Sequence, residues 1–329
     1  MRAGVIFCGI VALGLLGPGC TRSPDPKPRL ALRPVTLQTD WFPQAEHGGF
    51  YQALAKGFYR DAGLTVELLP GGPSAGINLR VAKGQADFGM NRSDDLIVAA
   101  SQGLPVVMVA AVLQHDSQVL LVHAASPVKT LEDLAGRTVT ASIGMAWIPW
   151  LKKSRGIEFA LRPQTYGLAG FFSDPEAIQQ GLVTNEPYLA REKGVAIRTL
   201  PLRAAGLDVY HTIFCRRELA RAEPDVVRAF VAASIRGWQD YLEGDPAPAH
   251  AMILERNAQM TQAFLEFSRD EMRVRGLVRG DTTRGEDIGR IDLQRIREQI
   301  DKLSQLKILR EAPSADSVAT TEFLPRVPQ

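Results

Sequence analysis

The sequence predicts an α/β protein in which two successive units build mainly parallel sheets. Short runs rich in β-branched residues alternate with helical segments along the first two thirds of the chain. Residues 106–112 are apolar throughout, which is typical of a strand buried on both faces. The length of 329 residues suits two domains or one large α/β unit. These three observations define the expected fold class.

The first unit is predicted to contain three strand–helix repeats. β-Branched residues mark the first strand, at 35–39. Phe50, Leu54 and Phe58 recur every four residues and predict a helix over 45–62 that ends at Gly63. The remaining predicted segments are strands at 65–69, 87–90 and 106–112 and helices at 77–84 and 94–102.

A second unit of similar plan is predicted from residue 118 onward. Residues 130–133 fit a capping box, and Pro187 is tolerated in the first turn of a helix that begins at Glu186. The other predicted segments are strands at 118–123, 137–141, 181–184, 197–200 and 209–215 and helices at 147–153 and 174–180. The last third is predicted to be helical, with core-facing apolar stripes in 224–242 and 292–306.

The first residues indicate an export signal. Arg2 precedes an uncharged, almost wholly apolar stretch at 3–16, which is short for a membrane span and typical of a signal-peptide core. Small residues and then Cys20 follow, as in bacterial lipoproteins. We therefore predict a signal peptide over 1–19, lipidation at Cys20 and a proline-rich tether over 20–34. Cleavage without lipidation is the alternative.

Composition removes several classes of function. The chain has 38 Lys and Arg against 36 Asp and Glu, so its net charge of +2 gives no footprint for nucleic acid. Cys215 is the one cysteine of the expected folded body, and the five histidines lack metal-ligand spacing. Nucleophile and phosphate-loop motifs are also absent from the sequence. We expect no metal, cofactor, catalytic residue or nucleic-acid partner.

Polar and aromatic residues follow the predicted strands, at the edge where open α/β sheets bind ligands. The predicted ligand-binding residues are Trp41, Phe42, His47, Gly71, Gly72, Asn91, Ser93, Gln114, Ser142, Gly144, Asn185, Glu186 and Tyr188. Adjacent aromatic residues at 41 and 42 favour a flat, ring-shaped ligand, whereas packing on a neighbouring loop is the alternative. A helix-capping role is the alternative for Glu186.

Several of these segments resemble the thiamine-pyrimidine-synthase-like family. The matching stretches are DWFPQAEHGGFY (40–51), AKGFY (55–59), AGLTV (62–66), PGGP (70–73), KGQADFG (83–89) and NEP (185–187). The resemblance covers residues 35–236. This family contains periplasmic solute-binding proteins of ABC importers, and also the fungal thiamine-pyrimidine synthase.

The resemblance implies a type II periplasmic binding protein fold, in which two lobes close like a hinge on a solute in the cleft between them. Lobe 1 would comprise 35–114 and 212–329, and lobe 2 would comprise 115–211. The implied partners are a small-molecule solute and an ABC permease in the membrane. The protein would be an exported monomer in the periplasm or at the cell surface, anchored to the membrane by lipid at Cys20.

The resemblance leaves the solute open among thiamine-pyrimidine precursors, riboflavin and sulfonates such as taurine. The candidate loops carry Asp40, Glu46, Asp94 and Glu186 against the possible cations Arg92 and His47. A sulfonate needs several cationic donors, whereas carboxyl groups beside aromatic rings suit an aminopyrimidine. A synthase is the alternative function, although the fungal enzyme carries a cysteine-rich iron motif that this sequence lacks.

Overall fold

The computed structural model describes residues 1, 3–6, 9, 32–73 and 75–325. The chain from Leu32 onward forms one compact unit and builds the fold. Cys20, most of the predicted signal peptide and most of the tether lie outside the described residues. Within the described ranges, no helix has the length and apolar character needed to cross a membrane.

Two five-stranded sheets form the frame of the fold. The first has the order β2-β1-β3-β10-β4 and consists of β1 (Arg33–Gln38), β2 (Leu64–Leu69), β3 (Phe88–Arg92), β4 (Val106–Leu113) and β10 (His211–Arg216). The second has the order β7-β6-β8-β5-β9 and consists of β5 (Gln118–His123), β6 (Thr138–Ala141), β7 (Ala160–Pro163), β8 (Ile178–Leu182) and β9 (Ile197–Pro201). The predicted α/β class is confirmed, and both units share one plan.

Each sheet is mixed but mainly parallel in strand direction, as expected. Four of the five strands in each sheet point the same way, and β10 and β5 pair antiparallel with both of their neighbours. The chain passes from β4 to β5 through 114–117 and returns to β10 through 206–210. β5 and β10 run antiparallel to the other strands of their sheets. Their amino-terminal ends therefore lie at the edge where those strands have their carboxyl ends.

Helices cover the two sheets and supply the carboxyl-terminal third. They are α1 (Gly48–Ala55), α2 (Phe58–Asp61), α3 (Ile77–Ala82), α4 (Ser93–Ser101), α5 (Trp147–Arg155), α6 (Ala169–Ser173), α7 (Glu186–Glu192), α8 (Arg217–Ala222), α9 (Pro224–Glu243), α10 (Ala247–Arg256), α11 (Gln262–Val274), α12 (Leu293–Gln305) and α13 (Ala315–Val318). The helix expected over 45–62 is divided, because Gly57 adopts a left-handed conformation between α1 and α2. The helix expected at 174–180 is wrong: residues 178–182 form β8, whose pairing with β5 and β6 overrides local helix propensity.

The contact between α1 and α9 depends on glycine. A Cβ atom built on Gly237 would lie 2.2 Å from the carbonyl oxygen of Gly49 and 2.6 Å from the Cβ atom of Ala53. Gly49 in turn faces the ring of Trp238, which a Cβ atom there would meet at 2.2 Å. These close approaches fix the segment that follows β1, and this segment contributes to the candidate site.

We therefore expect Gly237→Ala to lower the free energy of unfolding by about 2 kcal/mol, because the added methyl group meets backbone that cannot rotate away. Urea-induced unfolding of the purified protein measures this effect. Gly170→Ala is the matched control, since open space surrounds that helical glycine. A change below about 1 kcal/mol is expected for the control. Equal effects of the two substitutions would contradict the packing argument.

Candidate functional site

A cavity of about 360 Å³ lies at the facing edges of the two sheets. Its lining residues come from the ends of strands in both sheets and from the loops after β1, β6 and β7. They are Asp40, Trp41, Gln44, Glu46, Arg92, Asp95, Ser117, Gln118, Ser142, Met145, Gln164, Tyr166, Gln180, Gly181, Leu182, Asn185, Glu186 and His211. This position matches the edge at which α/β sheets bind ligands.

A buried ion cluster forms the wall on the side of the first sheet. The Arg92 guanidinium donates two hydrogen bonds of 3.1 Å to Asp94 and one of 2.7 Å to Asp116. Burial opposes ionisation of Asp116, but Arg92 and His211 outweigh it and hold the pKa of this carboxyl well below its usual range. Each guanidinium nitrogen of Arg92 is thus already engaged by a carboxylate.

His211 lies in the same wall, between two carboxylates. Its Nδ1 atom is 3.6 Å from Asp40 and its Nε2 atom is 3.8 Å from Asp116. Burial favours the neutral ring, but the two aspartates outweigh burial and raise the pKa of His211 to about 9. The ring is therefore an imidazolium at neutral pH. His47 also contacts Asp40, with its Nε2 atom 2.7 Å from the carboxylate oxygen.

Two glutamates occupy the side of the cavity between the sheets. Glu46 is buried, accepts a hydrogen bond from the Thr184 hydroxyl through one oxygen, and leaves the other without a partner among the described residues. Glu186 accepts from the backbone N–H of Leu182 at 2.6 Å. Burial raises the pKa of both carboxyl groups, and that of Glu186 reaches about 7. Burial thus shifts both side chains toward the neutral acid, and about half of Glu186 carries its proton at pH 7.

Side-chain amides form the wall on the side of the second sheet. Gln180 donates to Gln118 at 3.1 Å and accepts from the backbone N–H of Ser142 at 3.1 Å. Gln164 in turn donates to the backbone carbonyl of Gln180 at 3.2 Å. This wall presents neutral donors and acceptors and carries no charge.

Two aromatic rings meet at the mouth of the cavity. Trp41 follows β1 and Tyr166 follows β7, and their ring centroids lie 5.2 Å apart. Tyr166 is exposed and has a φ of +59°, which a tyrosine rarely adopts. Such backbone strain costs about 1–3 kcal/mol and is concentrated at functional positions. The contact joins the loops of the two sheets across the cavity.

The structure brings four of the predicted residues together in the cavity lining. They are Trp41, Ser142, Asn185 and Glu186. The Phe42 ring is exposed, and its centroid lies 5.6 Å from that of Trp41. His47 contacts the lining residue Asp40. Gly71 and Gly72 shape the neighbouring loop, since the Gly71 N–H donates to the carbonyl of Trp41 at 3.0 Å. Gly144 lies in the turn between β6 and α5.

Four other predicted residues make contacts away from the cavity lining. Asn91 donates to Asn78 at 2.9 Å, and Ser93 donates to Gln299 at 2.7 Å. Gln114 donates to two backbone carbonyls, those of Asp287 and Arg290, at 2.8 Å each. Tyr188 is buried and stacks on Phe264 with 4.5 Å between ring centroids. In this structure these side chains hold the frame around the site.

Several lining residues were not predicted from the sequence. His211 and Gln118 are the first residues of β10 and β5, and the two antiparallel strands bring these ends to the cavity. Gln180 precedes the end of β8, and Tyr166 lies in an irregular loop. The signal available in the sequence was a polar residue at the start of an apolar strand, as at His211 and Gln118.

A second cavity, of about 460 Å³, is lined by Gln114, by Tyr210 and by residues within 284–298. It shares no lining residue with the cavity between the sheets. Arg295, one of its lining residues, lies 3.7 Å from Glu286 and 3.1 Å from Asp208. Its Nη2 atom is the one buried side-chain polar atom of this lining without a hydrogen bond to another described residue, whereas the cavity between the sheets has three such atoms, on Glu46 and His211. This cavity therefore offers a ligand fewer unpartnered buried groups than the one between the sheets.

Two sheets of one plan, linked by two crossings and enclosing a polar and aromatic cavity, define a periplasmic solute-binding protein fold of the kind used by ABC importers. The periplasmic aliphatic sulphonate binding protein of Escherichia coli matches with a TM-score of 0.66 and 13% identity, over 87% of this chain and 91% of that one. The family described as NMT1/THI5 like matches residues 44–249, and the chain belongs to that family.

Relatives found by sequence comparison are named for different functions. The riboflavin-binding protein RibY of Chloroflexus aurantiacus is 26% identical over 71% of this chain and 70% of its own length. The formylaminopyrimidine-binding protein of Halalkalibacterium halodurans is 34% identical over 33% of each chain. The 4-amino-5-hydroxymethyl-2-methylpyrimidine phosphate synthase THI11 of Saccharomyces cerevisiae is 25% identical over 69% of this chain and 72% of its own.

Proposed function

We propose that this protein is the solute-binding component of an ABC importer and that it captures a small heteroaromatic solute of the aminopyrimidine type. The cavity between the two sheets carries this proposal, because it combines aromatic rings with two carboxyl groups whose pKa is raised. The ring of the solute would pack against Trp41, and its amine-bearing edge would face Glu186 and Asn185.

The protonation of Glu186 favours this class of solute. A neutral carboxyl group has one O–H donor and one carbonyl acceptor. An aminopyrimidine offers the matching pair, a ring nitrogen that accepts and an exocyclic amine that donates. With a pKa of about 7, Glu186 carries the required proton in about half of the molecules at pH 7.

The charges in the cavity disfavour an anionic solute. Arg92 and His211 are the two cationic side chains of the lining. Arg92 is engaged by Asp94 and Asp116, and His211 lies between Asp116 and Asp40. A sulfonate or phosphate group needs cationic donors that are free to bind it, so a neutral or protonated solute suits the site better.

In this proposal, lobe 1 (35–114 and 212–329) and lobe 2 (115–211) close on the solute about the two crossings between the sheets. The closed protein then delivers the solute to a membrane permease. We further propose that the protein is exported, is anchored by lipid at Cys20 in the periplasm or at the cell surface, and acts as a monomer.

A synthase is the second candidate function, and the similarity to the yeast enzyme over 69% of this chain favours it. The cysteine-rich iron motif that the family resemblance assigns to the fungal synthase has no counterpart here, since the sequence beyond Cys20 contains Cys215 alone. That cysteine is buried in β10, and burial raises the pKa of its thiol to about 12. The binding function is therefore preferred.

A ligand panel tests the proposal. We expect formylaminopyrimidine or 4-amino-5-hydroxymethyl-2-methylpyrimidine to raise the melting temperature of the purified protein and to bind in isothermal titration calorimetry. Taurine is expected to do neither. Prolonged incubation followed by mass spectrometry should return each pyrimidine unchanged. Binding of taurine alone would contradict the proposed solute class, and conversion of a pyrimidine would contradict a function of binding alone.

Two aromatic variants locate the binding in this cavity. Trp41→Ala is expected to reduce the affinity for the pyrimidine about tenfold, because stacking on an aromatic side chain contributes on the order of 1–3 kcal/mol. Phe42→Ala is the matched control, since Phe42 is 47% exposed and lies outside the lining. We expect it to change affinity less than about threefold. Similar losses in the two variants would contradict the placement of the ring.

A further inference from the structure

Asp95 is the exposed acidic residue of the lining of the cavity between the sheets. It lies in the first turn of α4, three residues after the end of β3. The other acids of this lining are less accessible, since Asp40 and Glu186 are half-buried and Glu46 is buried. Asp95 is therefore the carboxyl group of the lining that a solute can contact most readily.

The Asp95 carboxylate keeps its full capacity to accept hydrogen bonds. Among the described residues, none donates a hydrogen bond to it and none forms an ion pair with it. The neighbouring guanidinium of Arg92 is directed elsewhere, since Nε and Nη2 donate to Asp94 and Nη1 donates to Asp116. An ionised carboxylate accepts through both oxygens, so Asp95 offers acceptors to a group that enters the cavity.

The wall around Asp95 holds more carboxyl groups than cations. Two cations face four carboxyl groups, namely Arg92 and His211 against Asp40, Asp94, Asp95 and Asp116. Counting His47, which contacts Asp40, as a third cation leaves the carboxyl groups in excess. Loss of hydration and the charge of Asp94 raise the pKa of Asp95. A cation bound beside Asp95 would offset this repulsion.

We propose that Asp95 accepts a hydrogen bond from a protonated amine on the solute and thereby favours aminopyrimidines that carry an alkylammonium substituent. This inference rests on the proposed function and adds a second recognition element to it. Glu186 would bind the amine-bearing edge of the ring, and Asp95 would bind the charged substituent. A hydrogen bond between charged groups contributes more than a neutral one, so its loss is expected to reduce affinity about tenfold.

A pair of probes that differ in one group tests this inference. 4-Amino-5-aminomethyl-2-methylpyrimidine and 4-amino-5-hydroxymethyl-2-methylpyrimidine share one ring, but the first carries an ammonium group at neutral pH. In calorimetric titrations the wild type is expected to prefer the aminomethyl compound by about tenfold or more. In Asp95→Asn, which keeps the shape without the charge, this preference should fall below about threefold. Asp95→Ser removes the same charge and repeats the comparison if the asparagine variant fails to fold.

Asp301→Asn is the matched control for the change in net charge. Asp301 is an exposed aspartate of α12, lies outside the cavity lining, and has no side-chain hydrogen bond or ion pair to another described residue. Because solvent and salt screen an exposed charge, this variant should keep the wild-type preference between the probes. An equal fall in Asp95→Asn and Asp301→Asn would assign the preference to net charge and overturn the inference.

The other outcomes separate this inference from the proposed function. If the wild type binds the two pyrimidines with equal affinity, Asp95 does not recognise the amine, and the pyrimidine-binding function stands. The same conclusion follows if Asp95→Asn weakens both compounds by one factor, since the side chain then only supports the site. Absence of binding by both pyrimidines would overturn the proposed function and this inference with it.

Discussion

Replacement of Arg92 by methionine is expected to lower the free energy of unfolding by about 3–5 kcal/mol at neutral pH. The side chains of Asp94 and Asp116 are 2% and 3% exposed, and both depend on the Arg92 guanidinium. Methionine fills a similar volume but supplies no charge or donor. The two carboxylates would remain buried, and among the described residues only Asp116 of the two would keep an ion pair, with His211 at 3.8 Å. A buried charge without a partner is costly.

The direction of the pH dependence follows from Asp116. Its pKa is lowered in the folded protein, so in the wild type it contributes stability above its unfolded pKa of about 3.9, and this is lost as pH falls through the lower folded pKa. In Arg92→Met the carboxyl is destabilised as an anion, and protonation relieves it. The deficit of the variant should therefore shrink as pH falls from 7 toward 4, as measured by urea-induced unfolding at each pH.

An exposed arginine with the same number of partners provides the control. Arg228 lies 2.7 Å from Asp225 and 3.1 Å from Glu322, with 45% of its side chain exposed. Because exposed ion pairs contribute little, Arg228→Met is expected to cost less than about 1 kcal/mol. If Arg92→Met lowers the free energy of unfolding no more than Arg228→Met does, then burial of the Arg92 cluster does not make the loss of its arginine more costly.

The parts of the site that were predicted from sequence follow from one rule about strand ends. Trp41, Ser142, Asn185 and Glu186 come after predicted strands, and the structure places all four in the cavity lining. The same rule placed Asn91, Ser93 and Gln114 at strand ends, but their side chains turn to neighbouring elements. Position along a strand fixes the edge of the sheet, whereas the direction of a side chain depends on packing that a single sequence does not reveal.

The residues missed by that rule have a topological cause. The rule assumes parallel strands, and the long-range pairing of His211 with Arg92 in antiparallel register reverses which end of β10 meets the cavity. Hydrophobic periodicity is the same in both directions, so the sequence predicted the strand without its orientation. Tyr166 was missed for a different reason, since its left-handed backbone depends on a loop held between two sheets.

Affinity for an aminopyrimidine is expected to fall about a hundredfold between pH 7.5 and 9.5 in the wild-type protein. The proposed complex holds one proton between the Glu186 carboxyl and the ring nitrogen, and the pKa of Glu186 in the free protein is about 7. Above that pH, and where the ring is itself neutral, binding requires the uptake of one proton. Each pH unit then costs a factor of ten, or about 1.4 kcal/mol.

Glu186→Gln separates this effect from every other titration in the cavity. Glutamine keeps one N–H donor and one carbonyl acceptor in nearly the same place, so it should bind the pyrimidine with no proton uptake at position 186. His211 has a pKa of about 9 and titrates in both proteins, so the difference between the two pH profiles belongs to Glu186. Calorimetric titrations across the range should show the variant losing much less affinity than the wild type. Parallel profiles, or a wild-type affinity that rises with pH, would mean that Glu186 binds as a carboxylate or does not contact the ring.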